Sequence, residues 1–400
     1  MNTPIGRTVS HASGIKFGIK PHDRRQHMYV VGQTGTGKST LLKNMAIHDM
    51  REGHGLALVD PHGELVEELL SFVPRHRTNE VVYFNPADTE NPIGLNVLEA
   101  HSEDEKQLVA SSLISVFKHM WRDFWGPRLE HVFHNAILAL MDTPGSTLLG
   151  VYRMLADDEY RKQVVSRVKD PIVKLFWEKD FEEYPPQFRK EIASPIQNKI
   201  GQLLTSTPLR NIVGQTKSTI DLRFLMDNQR ILLVNLAKGR IGEDKANLLG
   251  SVIVTKLYLS ALERQDMAEE RRKDFFLYID EFQNFSTDVF PSILSEARKY
   301  RLDLVLAHQY IRQLSENGTP TPQFERRFPA PLRARFRFSR AYASSGVSEP
   351  STSMKRRFIL ASSFCTNPFE YLDRSELFGM YRRRSLFRFS IDGFSYGACT

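Results

Sequence analysis

Apolar positions in the first hundred residues fall into short continuous runs with helical patterns between them. Residues 27–31 (His27-Met28-Tyr29-Val30-Val31), 56–60 (Leu56-Ala57-Leu58-Val59-Asp60) and 81–84 (Val81-Val82-Tyr83-Phe84) read as strands. Unbroken apolar runs of this length suit strands buried on both faces, as in a parallel sheet covered by helices. Residues 1–26 are polar and irregular and predict a short lead-in. From 102 to 220 the spacing changes to that of helices, expected at 103–120, 127–141, 147–155, 159–168 and 172–178. Pro185, Pro186, Pro195 and Pro208 are expected to punctuate them. Apolar runs return at 230–236, 274–280 and 302–307, with helices expected at 245–262 and 291–300. The pattern predicts an α/β fold with a largely parallel central sheet, interrupted by an all-α insertion. The expected divisions are 1–101 for the first part of the core, 102–220 for the insertion, 221–314 for the second part and 315–400 for a tail.

The link between the first run and its helix carries candidate chemistry. Gly32-Gln33-Thr34-Gly35-Thr36-Gly37-Lys38-Ser39-Thr40 satisfies G-x-x-x-x-G-K-[ST] between an expected strand and an expected helix, the context a phosphate-binding loop requires. Gly32, Gly35 and Gly37 let backbone N–H groups turn toward phosphate oxygens, and the helix N-terminus adds a partial positive charge. Lys38 has the reach for the β and γ phosphates of ATP, and Ser39 can ligate Mg²⁺. The run 274–280 ends in Asp280-Glu281, the form of a Walker B element. Strand C-termini meet the phosphate loop in such sheets, so both carboxylates belong beside the γ-phosphate. Asp280 would hold Mg²⁺ and Glu281 would orient and polarise the attacking water. A strand ending in a solvated turn is the bland alternative, and the phosphate loop in the same chain weighs against it.

Several positions keep two readings. Arg298 is either a cation favoured at a helix C-terminus or a finger presented to a neighbouring subunit's γ-phosphate. Gln309 is either a polar loop residue or a sensor of the γ-phosphate. Asp60-Pro61-His62-Gly63-Glu64 either shapes the nucleotide edge or a Mg²⁺ water, or is a plain strand-to-helix turn. His131 and His134 share a helix face with no third ligand at fixed spacing, so an ordinary helix surface is expected. Trp121, Trp125 and Trp177 are expected in the core of the insertion.

Charge sharpens the boundary near 315. The chain carries a net +7, but residues 315–400 hold 14 Lys/Arg against 7 Asp/Glu and therefore the whole excess. That tail is rich in Arg, Ser and Phe and has Lys355 as its single lysine. Three readings of it stay open: a frame-shifted translation, a disordered or adaptor tail, and a basic arm whose Arg and Phe contact nucleic acid. Only Cys365 and Cys399 are present, which excludes a disulfide framework and a Cys-rich metal site. No apolar run reaches 18 residues, so a cytoplasmic chain is expected, associated with a membrane through partners.

Together these stretches resemble the HerA/FtsK branch of RecA-like motor ATPases, and within it the conjugative type IV secretion coupling proteins of the TraD/TraG type. The resemblance is carried by Gly32–Thr40, by Asp60-Pro61-His62-Gly63, by Tyr278-Ile279-Asp280-Glu281-Phe282-Gln283-Asn284, and by residues 294–301 leading to Leu306-Ala307-His308-Gln309-Tyr310. Val82–Pro86, Pro92–Asn96 and Leu232–Arg240 add to it. It implies a RecA-like P-loop NTPase fold and an ATP-driven, Mg²⁺-dependent DNA translocase. It also implies a homo-hexameric ring, with type IV secretion channel components as partners. Arg298 would then match the family's finger arginine and Gln309 its sensor glutamine. A secretion ATPase that moves protein or pilus subunits without DNA is the alternative, and a partial, inactive ATP-binding fragment a third.

Overall fold

The structure, a computed structural model, describes residues 2–7, 15–100 and 102–309, together with four short strands beyond them. An antiparallel pair, β1 (Thr3–Arg7) and β2 (Lys16–Ile19), opens the chain where an irregular lead-in was expected. Its pattern is hard to read because the register shifts between Pro4 and Gly6 and the pair has only two strands.

Six parallel strands follow: β3 (Met28–Val31), β4 (Gly55–Asp60), β5 (Val81–Phe84), β6 (Ile231–Asn235), β7 (Phe275–Ile279) and β8 (Leu302–His308). They lie side by side in the order β3-β8-β7-β4-β6-β5. Because all six run the same way, their C-terminal ends line one edge of the sheet. Beyond β3, Ile359–Ala361 adds an antiparallel strand, followed by Arg388–Ser390. The expectations for the tail otherwise lie outside the described residues.

Alternation along each strand divides the core between the two faces. Val30, Leu56, Leu58, Leu233, Phe276, Tyr278 and Val305 pack under helix α1 (Lys38–Arg51) and helix α2 (Glu64–Leu70). Tyr29, Ala57, Val59, Leu232, Val234, Leu277, Ile279 and Leu304 face the other way.

The chain leaves the sheet after β5 and returns at the adjacent β6, and the described residues between them form helices and turns but no strand. The longest are α3 (Glu103–Met120), α4 (Pro127–Met141) and α5 (Pro186–Leu204). Ser102 caps α3 by accepting from the Glu105 N–H at 3.1 Å, and three acidic residues in the first turn suit the positive end of the helix dipole. The insertion has no separate core. Its Phe117, Trp121, Phe133 and Trp177 join the cluster on the second face of the sheet. The bridge between them is α6 (Glu243–Leu262), which packs against α3 and is buried almost all round. Gly250 lets α6 approach the turn after β7, since a Cβ there would sit 2.2 Å from the Phe285 ring.

Two expectations for helices change. Pro186 and Pro208 do open helices, but Pro195 lies inside α5 and does not end it. There the burial of Ile192, Ala193, Ile196 and Ile200 holds the helix through the missing N–H. The segment expected at 291–300 is split into helix α7 (Phe290–Glu296) and a tighter 3₁₀ turn at Ala297–Tyr300. No helix among the described residues is long and apolar enough to cross a membrane.

Candidate functional site

The C-terminal ends of five neighbouring strands converge on one place. After β3 the chain enters the loop Gly32–Gly37, and α1 begins at Lys38 with Gly37 as its N-cap in the left-handed region, φ 88°. A side chain is strained in that conformation, which explains glycine at this position. Gly32 N–H donates to the His308 carbonyl at 3.2 Å, fastening the loop to the end of β8. The Thr36 hydroxyl and the Lys38 ammonium both donate to the Gln33 carbonyl, at 2.5 Å and 3.4 Å. Lys38 is nearly buried, and that burial lowers its pKa against the pull of Asp280 and Glu281. Gln33, Thr34, Gly35 and Ser39 are exposed, Gly32 is buried, and Thr40 is half-buried.

Ser39 and Asp280 meet across the cleft. The Ser39 hydroxyl donates to Asp280 Oδ2 at 3.0 Å. Burial raises the Asp280 pKa and the nearby Asp60 adds to it, while the Ser39 hydrogen bond pulls the other way. A hydroxyl and a carboxylate held this way are hard oxygen donors that fit Mg²⁺, which keeps most of its remaining ligands as water or phosphate. Asp60 itself is committed to the backbone. It accepts from the N–H groups of His62 at 2.9 Å and Leu65 at 2.8 Å, and so shapes the turn into α2.

Glu281 stands at the centre with its own backbone in the left-handed region, φ 46°. A non-glycine residue there costs about 1–2 kcal/mol, and such strain is held in place only by its surroundings. Four side chains from different elements hold its carboxylate. Gln309 Nε2, just past β8, donates to Oε1 at 3.2 Å. Oε2 meets His62 Nε2 at 3.2 Å, Asn284 Nδ2 at 3.4 Å and Lys238 Nζ at 3.5 Å. Burial opposes ionisation of Glu281, but His62 and Lys238 outweigh it and the pKa is lowered. The carboxylate is therefore held as a charged acceptor of fixed orientation.

The site thus brings together Lys38, Ser39, Asp280, Glu281 and Gln309. Arg298 is elsewhere. It is exposed in the 3₁₀ turn that precedes β8, whereas Gln309 follows the same strand. Seven strand residues, about 23 Å at 3.3 Å each, separate the two positions. His131 is exposed and His134 half-buried on α4, and no cluster of metal-ligating residues occurs among the described residues. Trp121 and Trp177 are buried as expected, while Trp125 is half-buried and donates to Glu130 at 2.6 Å. Sequence reasoning gave Lys238 no role at this site. The available signal was a lysine three residues past a buried strand whose C-terminus lies at the sheet edge of the phosphate loop.

The family of type IV secretion-system coupling protein DNA-binding domains matches residues 11–319. The chain belongs to this family. Solved structures similar to this coupling-protein chain include plasmid coupling protein TrwB in complex with ADP and Mg²⁺. That match has 18% identity and a TM-score of 0.53 and covers 78% of this chain and 75% of that one. The unbound bacterial conjugative coupling protein TrwBdeltaN70 matches at 18% identity and a TM-score of 0.52, covering 74% of this chain and 65% of that one. The coupling-protein chain therefore spans just under two thirds of that relative. VirB4 of Thermoanaerobacter pseudethanolicus matches at 15% identity and a TM-score of 0.52, covering 81% and 80%. These likenesses show a shared α/β, RecA-like NTPase fold. No curated protein sequence matches the chain.

Proposed function

We propose that the chain is an ATP-hydrolysing DNA translocase of conjugative transfer, working at the subunit interfaces of a homo-hexameric ring. The observation that carries this reading is the carboxylate of Glu281, held between Gln309 on one oxygen and His62 and Lys238 on the other, at the same sheet edge as the phosphate loop. Backbone N–H groups of residues 32–40 and the Lys38 ammonium bind the phosphates of ATP. Ser39 and Asp280 would hold Mg²⁺, which when bound would supply positive charge to offset that of the phosphate oxygens. Glu281 accepts a proton from the attacking water as its oxygen bonds the γ-phosphorus. The bond from that phosphorus to the bridging oxygen breaks, giving ADP and inorganic phosphate.

Arg298 is exposed at the end of β8 opposite to Gln309, away from its own phosphate loop, and we read it as a finger for a neighbouring subunit's site. That position supports a ring in which each site is completed in trans. The family's description as a DNA-binding domain supports DNA as the cargo. The same membership supports components of the type IV secretion channel as partners.

Turnover of Mg-ATP by the full chain, by Lys38→Ala and by Glu281→Gln tests the chemistry. Both variants are expected to fall by about 10²–10⁴-fold. Glu281→Gln should still bind nucleotide, whereas Lys38→Ala should bind it weakly. Equal rates in all three chains would remove the hydrolysis reading. Single- and double-stranded DNA should stimulate turnover, and failure to retain either on a filter at low salt would remove DNA as the cargo.

A further inference from the structure

We propose that Lys238 is a positioning residue for Glu281, fixing which carboxylate oxygen is presented to water. The inference rests on Glu281 acting as the base that polarises that water.

The strand order makes the Lys238 contact a deliberate one. Lys238 follows β6 and Glu281 follows β7, and β4 lies between those two strands. With strands about 4.8 Å apart, the lysine must cross about 10 Å of sheet edge to bring Nζ to Glu281 Oε2. A lysine at a sheet rim ordinarily extends into water, yet this side chain is only 25% exposed. Its backbone is aimed as well. Ala237 is held in the left-handed region at φ 44°, an unfavourable conformation for alanine. The Leu236 N–H donates to the Asp60 carbonyl and the Lys238 N–H to the Pro61 carbonyl, both at 3.0 Å. The turn after β6 is therefore stitched to the turn after β4 before the lysine side chain begins.

The donors divide between the two oxygens of Glu281. Oε1 receives the neutral amide of Gln309, which follows β8, the strand beside the phosphate-loop strand. Oε2 receives His62 after β4, Lys238 after β6 and Asn284 from its own turn, and Lys238 supplies the permanent positive charge among them. The cation concentrates carboxylate charge on Oε2 and fixes that oxygen toward the turn after β6. Oε1, with one neutral donor, is the oxygen left to accept a proton from water. Lys238 acts through Glu281 and need not touch nucleotide.

A double-mutant cycle on the full chain tests this. Lys238→Met keeps the aliphatic stem and removes the charge. It should lower kcat by about 10–100-fold, a part of the general-base contribution. Its affinity for a fluorescent ATP analogue should stay within about twofold, and its melting temperature should match that of the parent. Lys238→Arg should recover part of the rate. In the Glu281→Gln background, Lys238→Met should cost less than about twofold more, because the group it positions is already gone. Full multiplication of the two losses would overturn the inference, as would a loss of nucleotide affinity equal to the loss of rate. If Glu281→Gln abolishes turnover while Lys238→Met leaves it unchanged, this inference fails and the hydrolytic reading stands. Equal turnover in the parent and Glu281→Gln overturns both.

Discussion

The two ends of the parallel sheet both gather charged side chains, and they use them in opposite ways. At the N-terminal end three arginines are bound to internal partners and sealed. Arg24 donates to both oxygens of Asp49, at 2.5 Å and 2.9 Å, and also to the Tyr278 hydroxyl and the Thr3 hydroxyl. Arg77 donates to the carbonyls of Met50, His54 and Gln229, and Arg264 binds Asp227 together with the carbonyls of Lys273 and Tyr300. Arg24, Arg77 and Arg264 are all buried. At the C-terminal end the same kinds of groups surround a cleft. Ser39, Lys38 and Glu281 spread their contacts over weaker distances of 3.0–3.5 Å, with strained backbone at Ala237 and Glu281. Closed pairing makes the sheet; the open arrangement leaves donors and acceptors able to exchange partners for phosphate and water.

The contrast can be broken by substitution at either end. The largest effect is expected from Arg24→Met, which strands the Asp49 carboxylate at 0% exposure. Stability should fall by about 3–5 kcal/mol, read from denaturant unfolding, and the double change Arg24→Met with Asp49→Leu should recover much of it. A single and a double variant of equal stability would show that the pair is not coupled.

The next effect concerns Asp303 in β8, fully buried and without a hydrogen-bond partner on either carboxylate oxygen among the described residues. Burial, and then Asp274, push its carboxyl up to about 8 against Arg24, Arg25 and Arg301. An unfolded aspartate titrates near ~3.9. The folded chain therefore holds this proton more tightly, so its contribution to stability is full below pH ~4, is lost as pH rises toward 8, and is flat above. Unfolding measured from pH 5 to 8 should show that slope, and Asp303→Asn should flatten it. An unchanged slope in the variant would assign the pH dependence to other groups.

The smallest effect sharpens the strained end. Ala237→Gly relieves a left-handed alanine and should raise the midpoint of unfolding by up to about 1 kcal/mol in stability. A fall in stability would mean that the turn is held for reasons other than strain.

How far these features can be read from the chain depends on whether they are local. The strands β3 to β8 announce themselves as apolar runs, because burial on both faces leaves few polar positions, such as Asp303 in β8, to interrupt them. The phosphate loop and Asp280-Glu281 are local motifs whose residue types state their geometry. Gln309 beside Glu281 also follows from strand order, once β7 and β8 are neighbours. Lys238 is different: its contact exists only because β4 intervenes between β6 and β7, a fact of topology with no trace in spacing. The β1–β2 pair was hidden by its register shift, and Pro195 by tertiary burial that overrides a local breaker. Arg24 and Asp49 lie 25 residues apart, on either side of the first strand and its loop, and no spacing rule links them, so their pairing is visible only in the folded chain.

One strand carries a further consequence. β8 is paired with β7 over residues 302–306 and with β3 over residues 305–308, and is buried over its whole length. Such a segment behaves as a stiff rod rather than a hinge. Arg298 stands just before one end of it and Gln309 just after the other. In the ring proposed here, a tug on Gln309 when phosphate leaves one site would be felt at the adjoining site without any soft element between. Firing order around such a ring would then be set by the length of a strand, and a residue inserted between 302 and 308 should desynchronise neighbouring subunits while leaving each phosphate loop intact.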